Sequence, residues 1–301
     1  MNTAGDAPGL SVVVVMLGGR DYLPRCLDAL GRQVGVARPE ILVPCDASAG
    51  DLAPLRRRYP DVQFLPVAGR RTYAELRALG FQRARGTIIA LTEDHCSPDP
   101  DWCQQILKLH ELGHAAVGGA VDKGPDGILN WAVYLCDFSR YMNPVAEGPS
   151  AYLTDCNVAY KRRALEPLAP LWATEFHETT INWTLAGRGQ SLWLSPRVIV
   201  RQQRSLTLGH ALGERYRFGR LFARTRVAAT PWPRRPLYAV GALALPLVLM
   251  ARVARNVLAK RRARGRFLLA LPAIALLNTV WGLGELVGYL QGTLRAREHA
   301  E

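Results

Sequence analysis

The sequence has few cysteines for its length, and none is placed as in a metal-binding or disulfide-rich domain. The six cysteines among 301 residues form no C-x-x-C pair and no repeated spacing, which excludes a zinc ribbon and a disulfide framework. Free thiols are typical of a reducing compartment. The first ten residues have neither a basic start nor a long apolar run. We therefore expect no secretory signal there and expect the first 200 residues to be cytosolic.

Several nucleotide-binding and hydrolase signatures are also missing. No G-x-G-x-x-G follows the first predicted strand, where residues 17–20 read Leu-Gly-Gly-Arg, so a dinucleotide-binding dehydrogenase is disfavoured. The sequence also lacks the G-x-x-x-x-G-K-[ST] loop of P-loop NTPases and the G-x-S-x-G elbow of α/β-hydrolases.

Acidic residues are scarce in one part of the chain. The formal net charge is +13, from 38 Lys and Arg against 25 Asp and Glu. Between Arg201 and Arg266 there are 16 basic residues and one acid, Glu214, whereas the rest of the chain is nearly neutral. Because the basic run adjoins apolar stretches, it favours an anionic membrane surface over nucleic acid as the partner.

Short β-branched runs alternate with longer amphipathic stretches along the N-terminal part of the chain. This pattern predicts an α/β fold, Rossmann-like, with a mostly parallel central sheet covered by helices. The predicted strands are 11–17, 40–46, 62–67, 87–92 and 115–121, and the predicted helices are 21–33, 51–59, 72–85 and 101–112. A mixed region follows, with a helix at 127–140, a strand at 152–160 and a helix at 175–186.

The C-terminal third combines basic and apolar segments. Residues 206–226 predict an amphipathic helix that either lies on lipid headgroups or packs on the domain. Two apolar segments follow, 236–251 and 267–290, about 24 Å and 36 Å long as helices against a hydrocarbon core of about 30 Å. We expect the second to span a membrane and the first to be re-entrant or interfacial, with the Arg-rich loop between them on the cytoplasmic side. Two crossings with an exported loop are the alternative.

These segments divide the chain into three parts. We predict a catalytic α/β domain at 1–205, a basic amphipathic segment at 206–235 and a membrane-associated helical hairpin at 236–301. Glu285 lies within the second apolar segment, where a carboxylate is costly in lipid, so we expect it to face a partner helix, water or the domain.

A metalloprotease-like motif occurs in the chain. His110 to His114 spell H-E-x-x-H, in which two histidines on one helix face bind zinc and Glu111 is the base. Gly113 predicts that the helix ends before His114, and no third ligand follows at a metzincin spacing. We interpret the motif as a chance match.

Acidic residues stand at the ends of two predicted strands. Asp46 ends the second strand, and Glu93-Asp94-His95 ends the fourth. An open α/β sheet binds its ligands at that edge, and carboxylate and imidazole donors there suit a divalent cation that clamps a diphosphate. A helix cap or turn is the alternative for any one of these acids.

In order and spacing these features resemble the family 2 glycosyltransferases, which have the A-type glycosyltransferase fold. The resemblance covers roughly residues 10–226. The segments that carry it are SVVVVMLGGRDYLPRCLDAL at 11–30, LVPCDASAGD at 42–51, RGTIIALTEDH at 85–95, PDPDW at 98–102 and NVAYKRR at 157–163.

The resemblance implies a donor site at the carboxyl edge of the sheet. Glu93-Asp94-His95 replaces the Asp-x-Asp motif of the family, so that Glu93 and His95 are the implied ligands of a divalent metal, Mn²⁺ or Mg²⁺. The implied donor-binding residues are Leu17, Gly18, Gly19 and Arg20 in the loop after the first strand, Asp46 for the base or ribose, and Asp94 on the phosphate side.

The same resemblance implies a catalytic base before the last helix of the domain. Glu178 aligns with the base carboxylate of the family, and Glu175 in the same turn is the rival. An inverting transfer needs one carboxylate to accept the acceptor's proton. Acids that merely favour a helix N-terminus are the alternative for either residue.

Together these features predict a membrane-associated, metal-dependent inverting glycosyltransferase of hexosyltransferase type. We expect it at the cell inner (cytoplasmic) membrane, with the catalytic domain facing the cytoplasm. The expected partners are a nucleotide-sugar donor, a lipid-linked or envelope-glycan acceptor and membrane lipids, but no nucleic acid, and the tail helices could pair two copies. The alternatives are a polyprenyl-phosphate sugar synthase, whose acceptor is the lipid phosphate, and a catalytically silent membrane scaffold.

Overall fold

One nine-stranded sheet is the central element of the computed structural model, which describes residues 8–16, 21–228 and 235–291. The strands are β1 (Leu10–Val15), β2 (Glu40–Cys45), β3 (Val62–Pro66), β4 (Ile88–Glu93), β5 (Cys96–Pro98), β6 (Ala116–Lys123), β7 (Gly148–Pro149), β8 (Asn157–Lys161) and β9 (Leu192–Gln202). Their order across the sheet is β3-β2-β1-β4-β8-β6-β9-β5, and β7 pairs with β9.

Most of the strands run in one direction. β1, β2, β3, β4, β6 and β9 are mutually parallel in sense, because β8 is antiparallel to both β4 and β6. Val12–Val15 in the central strand β1 are fully buried, as expected for a parallel strand covered on both faces. The predicted α/β class with a mostly parallel central sheet is confirmed.

Helices occupy the connections and the C-terminal third. The described α-helices are α1 (Leu23–Gly31), α2 (Ala53–Arg58), α3 (Tyr73–Arg83), α4 (Trp102–Glu111), α5 (Ile128–Phe138), α6 (Arg162–Leu165), α7 (Ala169–Trp172), α8 (Glu178–Gly187), α9 (Leu208–Ala228), α10 (Arg235–Lys260) and α11 (Arg264–Gln291). Two 3-10 turns lie at Ala47–Ala49 and Glu166–Leu168.

The described chain forms two units, which we call the sheet unit and the helical unit. The sheet unit contains the chain up to Gly124 together with Asn143–Arg204, and the helical unit contains Pro125–Met142 and the chain from Ser205 onward. The helical unit thus includes α5 along with α9, α10 and α11, whereas the division made from the sequence assigned that helix to residues 1–205.

The strands β5, β7 and β9 were not predicted from the sequence, and two predicted elements differ from the structure. The strand predicted at 152–160 begins only at Asn157, because the residues before it form a turn closed by the Asn157 amide and the Thr154 carbonyl at 3.0 Å. The Arg-rich loop expected between the apolar segments is mostly helical, since α10 continues to Lys260. Arg and Lys are good helix formers, and residues 252–260 contain no Gly or Pro.

The helix that follows β3 begins at a capping box. The Thr72 hydroxyl accepts a hydrogen bond from the Glu75 amide at 3.1 Å, and the Glu75 carboxylate accepts one from the Thr72 amide at 2.7 Å. These bonds satisfy amide groups that the first turn leaves unpaired. The cap therefore fixes where α3 starts, and with it the position of every side chain on that helix.

We expect Thr72→Ala to lower the free energy of unfolding by about 1 kcal/mol, because it removes the acceptor of the capping bond. Urea denaturation of the purified protein measures this difference. Thr72→Ser keeps the hydroxyl and is the control, so an equal loss in both variants would contradict the capping contribution.

An aromatic cluster aligns α3 with the chain that enters α8. The rings of Phe81 and Phe176 stack with centroids 4.1 Å apart, and Trp172 and Tyr160 pack around them. The Phe176 amide also donates to the Ala74 carbonyl at 2.9 Å. Because these contacts fix α3 against the start of α8, polar side chains one turn away on each element are brought together.

Candidate functional site

The carboxyl ends of β1 and β4 meet at one edge of the sheet. Val15 is the register partner of Glu93, and the Asp94 amide donates to the Val15 carbonyl at 3.0 Å. The β4 strand thus delivers Glu93, Asp94 and His95 to the edge at which open α/β sheets bind ligands. The predicted position of the motif at a strand end agrees with this geometry.

The three side chains of this motif contact one another. His95 Nε2 lies 3.2 Å from Glu93 Oε2, and His95 Nδ1 lies 3.1 Å from Asp94 Oδ1. All three residues are buried. Burial alone would lower the pKa of His95, but the hydrogen bonds that its imidazole donates to the Asp94 and Glu93 carboxylates outweigh burial and raise this pKa to about 10. In the absence of a bound cation the imidazole therefore serves as a positive partner of two carboxylates.

Arg77 on α3 connects this motif to two further acids. Its guanidinium lies 3.3 Å from Glu93, 2.5 Å from Asp155 and 3.6 Å from Glu178. The Arg77 side chain is only 9% exposed. Burial opposes its charge, but the three carboxylates raise its pKa above the ordinary value for arginine.

Glu178 is the first residue of α8, and its position follows from the aromatic cluster. Its carboxylate accepts a hydrogen bond from the Thr179 hydroxyl at 2.7 Å. Burial raises the pKa of Glu178 and Asp155 adds to this effect, while Arg77 opposes it. A carboxylate with a raised pKa holds a proton more readily than an ordinary one, which is the property that a general base requires.

Glu175, the rival base, lies in a different environment. Its side chain is 45% exposed, against 20% for Glu178, and its carboxylate lies 3.4 Å from His177 Nε2. The described contacts therefore connect Glu178, and not Glu175, to Arg77.

Asp155 is held in place by the residues that follow it. The Cys156 carbonyl accepts from the Thr92 hydroxyl at 2.9 Å, and the Asn157 side chain bonds the carbonyls of Ala120 and Val198 at 2.8 and 2.9 Å. These bonds fasten the start of β8 to its neighbours in the sheet. These bonds therefore hold the backbone next to Asp155 in place, and its carboxylate contacts Arg77.

Asp46 lies at the end of β2, as predicted, and caps the 3-10 turn after it. Its carboxylate accepts from the Ser48 amide at 2.8 Å and from the Arg71 amide at 2.9 Å. Burial opposes ionisation, but the hydrogen bonds from Ser48 and Arg71 lower the pKa of Asp46. The capping geometry is compatible with the turn role that is the alternative to ligand binding.

Four residues of the resulting cluster were predicted from the sequence, and two were not. We call the set the Arg77 cluster: Arg77, Glu93, Asp94, His95, Asp155 and Glu178. Arg77 was missed because it lies on a helix whose pattern indicates only packing, and Asp155 because it falls in a segment predicted as strand. The predicted donor-loop residues Leu17, Gly18, Gly19 and Arg20 lie outside the described residues.

The Arg77 cluster contains more negative than positive groups. Its four carboxylates belong to Glu93, Asp94, Asp155 and Glu178, and its two cationic side chains to Arg77 and His95. A divalent cation would balance this excess. Carboxylate oxygens with an imidazole nitrogen also suit Mn²⁺ or Mg²⁺. The donor set therefore fits the metal that the resemblance implies.

The H-E-x-x-H segment has a structural role. The α4 helix ends at Glu111, and Gly113 has a φ of 99°, so His114 leaves the helix. His110 Nδ1 lies 3.0 Å from the His114 carbonyl, and the His114 ring stacks on Trp193. The two rings thus make separate contacts, with His114 Nδ1 also 2.8 Å from the Ser191 hydroxyl, in agreement with the chance-match interpretation.

Comparisons with known proteins bear on this geometry. A family model for glycosyl transferase family 2 matches residues 11–168. A search of curated proteins finds no match. Among solved structures, the chain is similar to the mannosyltransferase PcManGT from Pyrobaculum calidifontis in complex with GDP-Man and Mn²⁺, with a TM-score of 0.56 and 20% identity over 95% of this chain and 87% of that one.

Two further structures share the fold. One is S. aureus TarS 1-349, with a TM-score of 0.50 and 12% identity over 94% of this chain and 91% of that one. The other is GalNAc-T7 with UDP, GalNAc and Mn²⁺, with a TM-score of 0.52 and 14% identity over 75% of this chain and 52% of that one. At these identities the likeness concerns the fold.

Proposed function

Because the chain belongs to glycosyl transferase family 2, we propose that it transfers a hexose from a nucleotide-sugar donor to an acceptor with inversion at the anomeric carbon. The observation that supports this most directly is the Arg77 cluster, which joins the Asp-x-Asp-like motif to Glu178 through one buried guanidinium. Two of the structures that share the fold contain GDP-Man or UDP, in each case together with Mn²⁺. A donor of this chemistry fits the acidic edge of the sheet when a metal is present.

In this proposal each residue of the cluster has a separate task. Glu93 and His95 would hold the divalent metal, which when bound neutralises the charge that develops on the nucleotide diphosphate. Asp94 lies on the phosphate side of the donor, and Asp46 binds its base or ribose. Glu178 accepts the proton of the acceptor hydroxyl as its oxygen attacks the anomeric carbon.

Arg77 holds these groups in fixed positions relative to one another. One side of its guanidinium contacts Glu93 and another contacts Glu178, so the metal ligand and the base cannot move independently. Asp155 completes the coordination of the guanidinium at 2.5 Å. Arg77 is therefore a positioning residue, and it also limits the repulsion among the carboxylates around it.

We further propose that the enzyme acts at the inner membrane, with the sheet unit in the cytoplasm and a lipid-linked or envelope-glycan acceptor. Two helices support this, since Leu237–Lys260 and Arg264–Gln291 are long and apolar enough to cross a bilayer, with mean hydropathies of 1.9 and 1.8. Only 17% of the most apolar part of the first helix is buried in protein. Lipid is the environment that would cover such a surface.

Binding of UDP and GDP to the full chain in detergent tests the donor site. We expect one of the nucleotides to bind with Mn²⁺ or Mg²⁺ and to be released by EDTA. In a Glu93→Ala/His95→Ala variant we expect binding to be at least about tenfold weaker, because both metal ligands are lost. Isothermal titration calorimetry measures each affinity, and Asp61→Ala, which removes an exposed ion pair with Arg38, is the control.

The outcomes separate the competing functions. Binding that is equal in EDTA and unaffected by the double variant would contradict the metal site at Glu93 and His95. Failure of folded wild-type protein to bind either nucleotide under any metal condition would contradict the transferase proposal and favour the silent membrane scaffold.

A further inference from the structure

The helical unit places a basic helix side by side with an apolar one. Earlier residues of α9 contact earlier residues of α11, and later residues contact later ones. Arg215 lies over the Trp281 ring at 5.5 Å, and Arg226 donates to the Tyr289 hydroxyl at 3.3 Å. The two helices are therefore parallel, and α9 packs against the C-terminal half of α11.

Glycines allow this close contact. A Cβ atom on Gly219 of α9 would collide with the Trp281 carbonyl, and Cβ atoms on Gly284 and Gly288 of α11 would collide with the carbonyls of Tyr216 and Arg220. Because backbone packs against backbone at these positions, we treat α9 and the C-terminal half of α11 as one packed pair. The arginines of α9 therefore lie in the same environment as that half of α11.

Another side of α11 is aliphatic and exposed. Leu276, Leu283 and Leu290 are 42%, 49% and 71% exposed. At 3.6 residues per turn they share one side of the helix, roughly 120° around its axis from the glycines that contact α9. Glu285, for which the sequence predicts a partner helix, water or the domain, is buried and accepts hydrogen bonds from Trp281 at 2.6 Å and Tyr289 at 3.0 Å, each one turn away on α11 itself.

The remaining helix of the hairpin extends the apolar surface. On α10 the side chains of Leu237, Val240, Leu243 and Leu247 are between 65% and 76% exposed. The α10 helix contacts α11 where the Tyr238 and Tyr289 rings stack 5.7 Å apart. The α10 and α11 helices thus present leucine-rich surfaces, whereas α9 presents arginines.

This arrangement conflicts with two simple membrane crossings. A crossing α11 would carry the adjacent arginines of α9 into hydrocarbon, where charged side chains are costly. In the plane of a leaflet the same helices place the arginines among headgroups and the leucines among acyl chains. Phe218 and Phe222 of α9 are exposed next to the exposed Arg217. Aromatic and basic side chains together suit the interface between headgroups and acyl chains.

The chain around the turn between α10 and α11 has the charge expected at a headgroup surface. We call residues 252–266, which include the end of α10 and the start of α11, the α10–α11 connection. They contain seven Lys and Arg and no acid. Juxtamembrane clusters of this kind bind anionic lipid headgroups. If both helices crossed, this cluster and α9 would face opposite sides of the membrane.

We propose that the helical unit lies in the plane of one anionic leaflet, with α9 and the α10–α11 connection at the same headgroup surface. This placement rests on the membrane attachment proposed above and adds its topology. In this placement the exposed leucines of α10 and α11 contact the acyl chains of an acidic phospholipid bilayer.

Cysteine labelling in sealed, inverted membrane vesicles from an expressing host tests the placement. Thr225→Cys marks α9, and Gly265→Cys marks the connection, where a Cβ atom meets nothing within 4 Å. A membrane-impermeant maleimide should label both variants equally, with no gain on permeabilisation. Wild-type protein measures the background, which should be low because five of its six cysteines are buried.

The possible results distinguish the topology from the attachment. Labelling of one variant before permeabilisation and of the other only afterwards would overturn the in-plane placement but leave the attachment. Flotation of purified protein with phosphatidylglycerol-containing vesicles tests the attachment separately. Protein that stays at the bottom of the gradient would overturn both, without bearing on the transferase chemistry of the sheet unit.

Discussion

Glu178→Gln is expected to slow sugar transfer by about 10²–10⁴-fold, the contribution of a positioned general base, and to leave metal-dependent nucleotide binding unchanged. The amide keeps the size of the side chain and can still accept from the Thr179 hydroxyl, but it cannot take the acceptor's proton. Single-turnover transfer with the donor that the binding experiment identifies measures the rate, and calorimetry measures the binding.

Glu175→Gln is the matched control for this substitution. Glu175 precedes the same helix but is more exposed, and the carboxylates that pair with Arg77 in the described chain are those of Glu93, Asp155 and Glu178, so we expect its replacement to change the rate little. A large loss in Glu175→Gln with near-normal transfer in Glu178→Gln would reverse the assignment of the base.

The pH profile of the wild type provides a second check on Glu178. A base acts when ionised, so activity should fall as the pH drops through its pKa. Because burial raises that pKa, the acid limb should lie above the ordinary glutamate value of about 4.3. Glu178→Gln should lack this limb in its residual activity, and an unchanged limb would assign the titration to another group.

Most of the parallel strands could be predicted because they carry a local signal. Buried parallel strands read as continuous β-branched runs, so β1 through β4 were found within one or two residues of their observed ends. The position of Glu93-Asp94-His95 followed, since a residue at the end of a central parallel strand lies at the ligand-binding edge whatever its neighbours are. The family resemblance rests on the same segments and is confirmed.

Arg77 and Asp155 could not be predicted in the same way, because their proximity depends on contacts distant in sequence. Arg77 reaches the edge only because Phe81, one turn later on α3, stacks on Phe176. Asp155 reaches it only because Asn157 is bonded to two other strands. Neither relation leaves a periodic pattern in the chain.

The C-terminal third shows the same limitation. Composition predicted both apolar segments and the basic helix before them, but not that the basic helix runs parallel to α11. The glycines that permit this contact, Gly219, Gly284 and Gly288, are spaced on two separate helices. Their role in packing depends on which two helices pair, so it could not be inferred from the sequence of either helix alone.

Arg77→Met is expected to lower the free energy of unfolding by about 3–5 kcal/mol, the loss typical when one partner of a buried ion pair is removed. Methionine fills much of the volume but leaves Glu93, Asp155 and Glu178 facing one another without the central cation. Urea denaturation in EDTA measures the loss without stabilisation by bound metal. Arg38→Met, at an ion pair whose partners are 83% and 75% exposed, is the control, with an expected loss of at most about 1 kcal/mol.

The pH dependence of the loss distinguishes charge repulsion from poor packing. Without Arg77 the clustered carboxylates should have raised pKa values in the folded state, and protonation should then relieve their repulsion. A group whose pKa is higher when folded gains stability relative to the unfolded chain as the pH falls. The difference between Arg77→Met and wild type should therefore shrink between neutral pH and about pH 4, near the ordinary carboxylate values. A difference that stays constant over this range would assign the loss to packing and contradict the electrostatic role of Arg77.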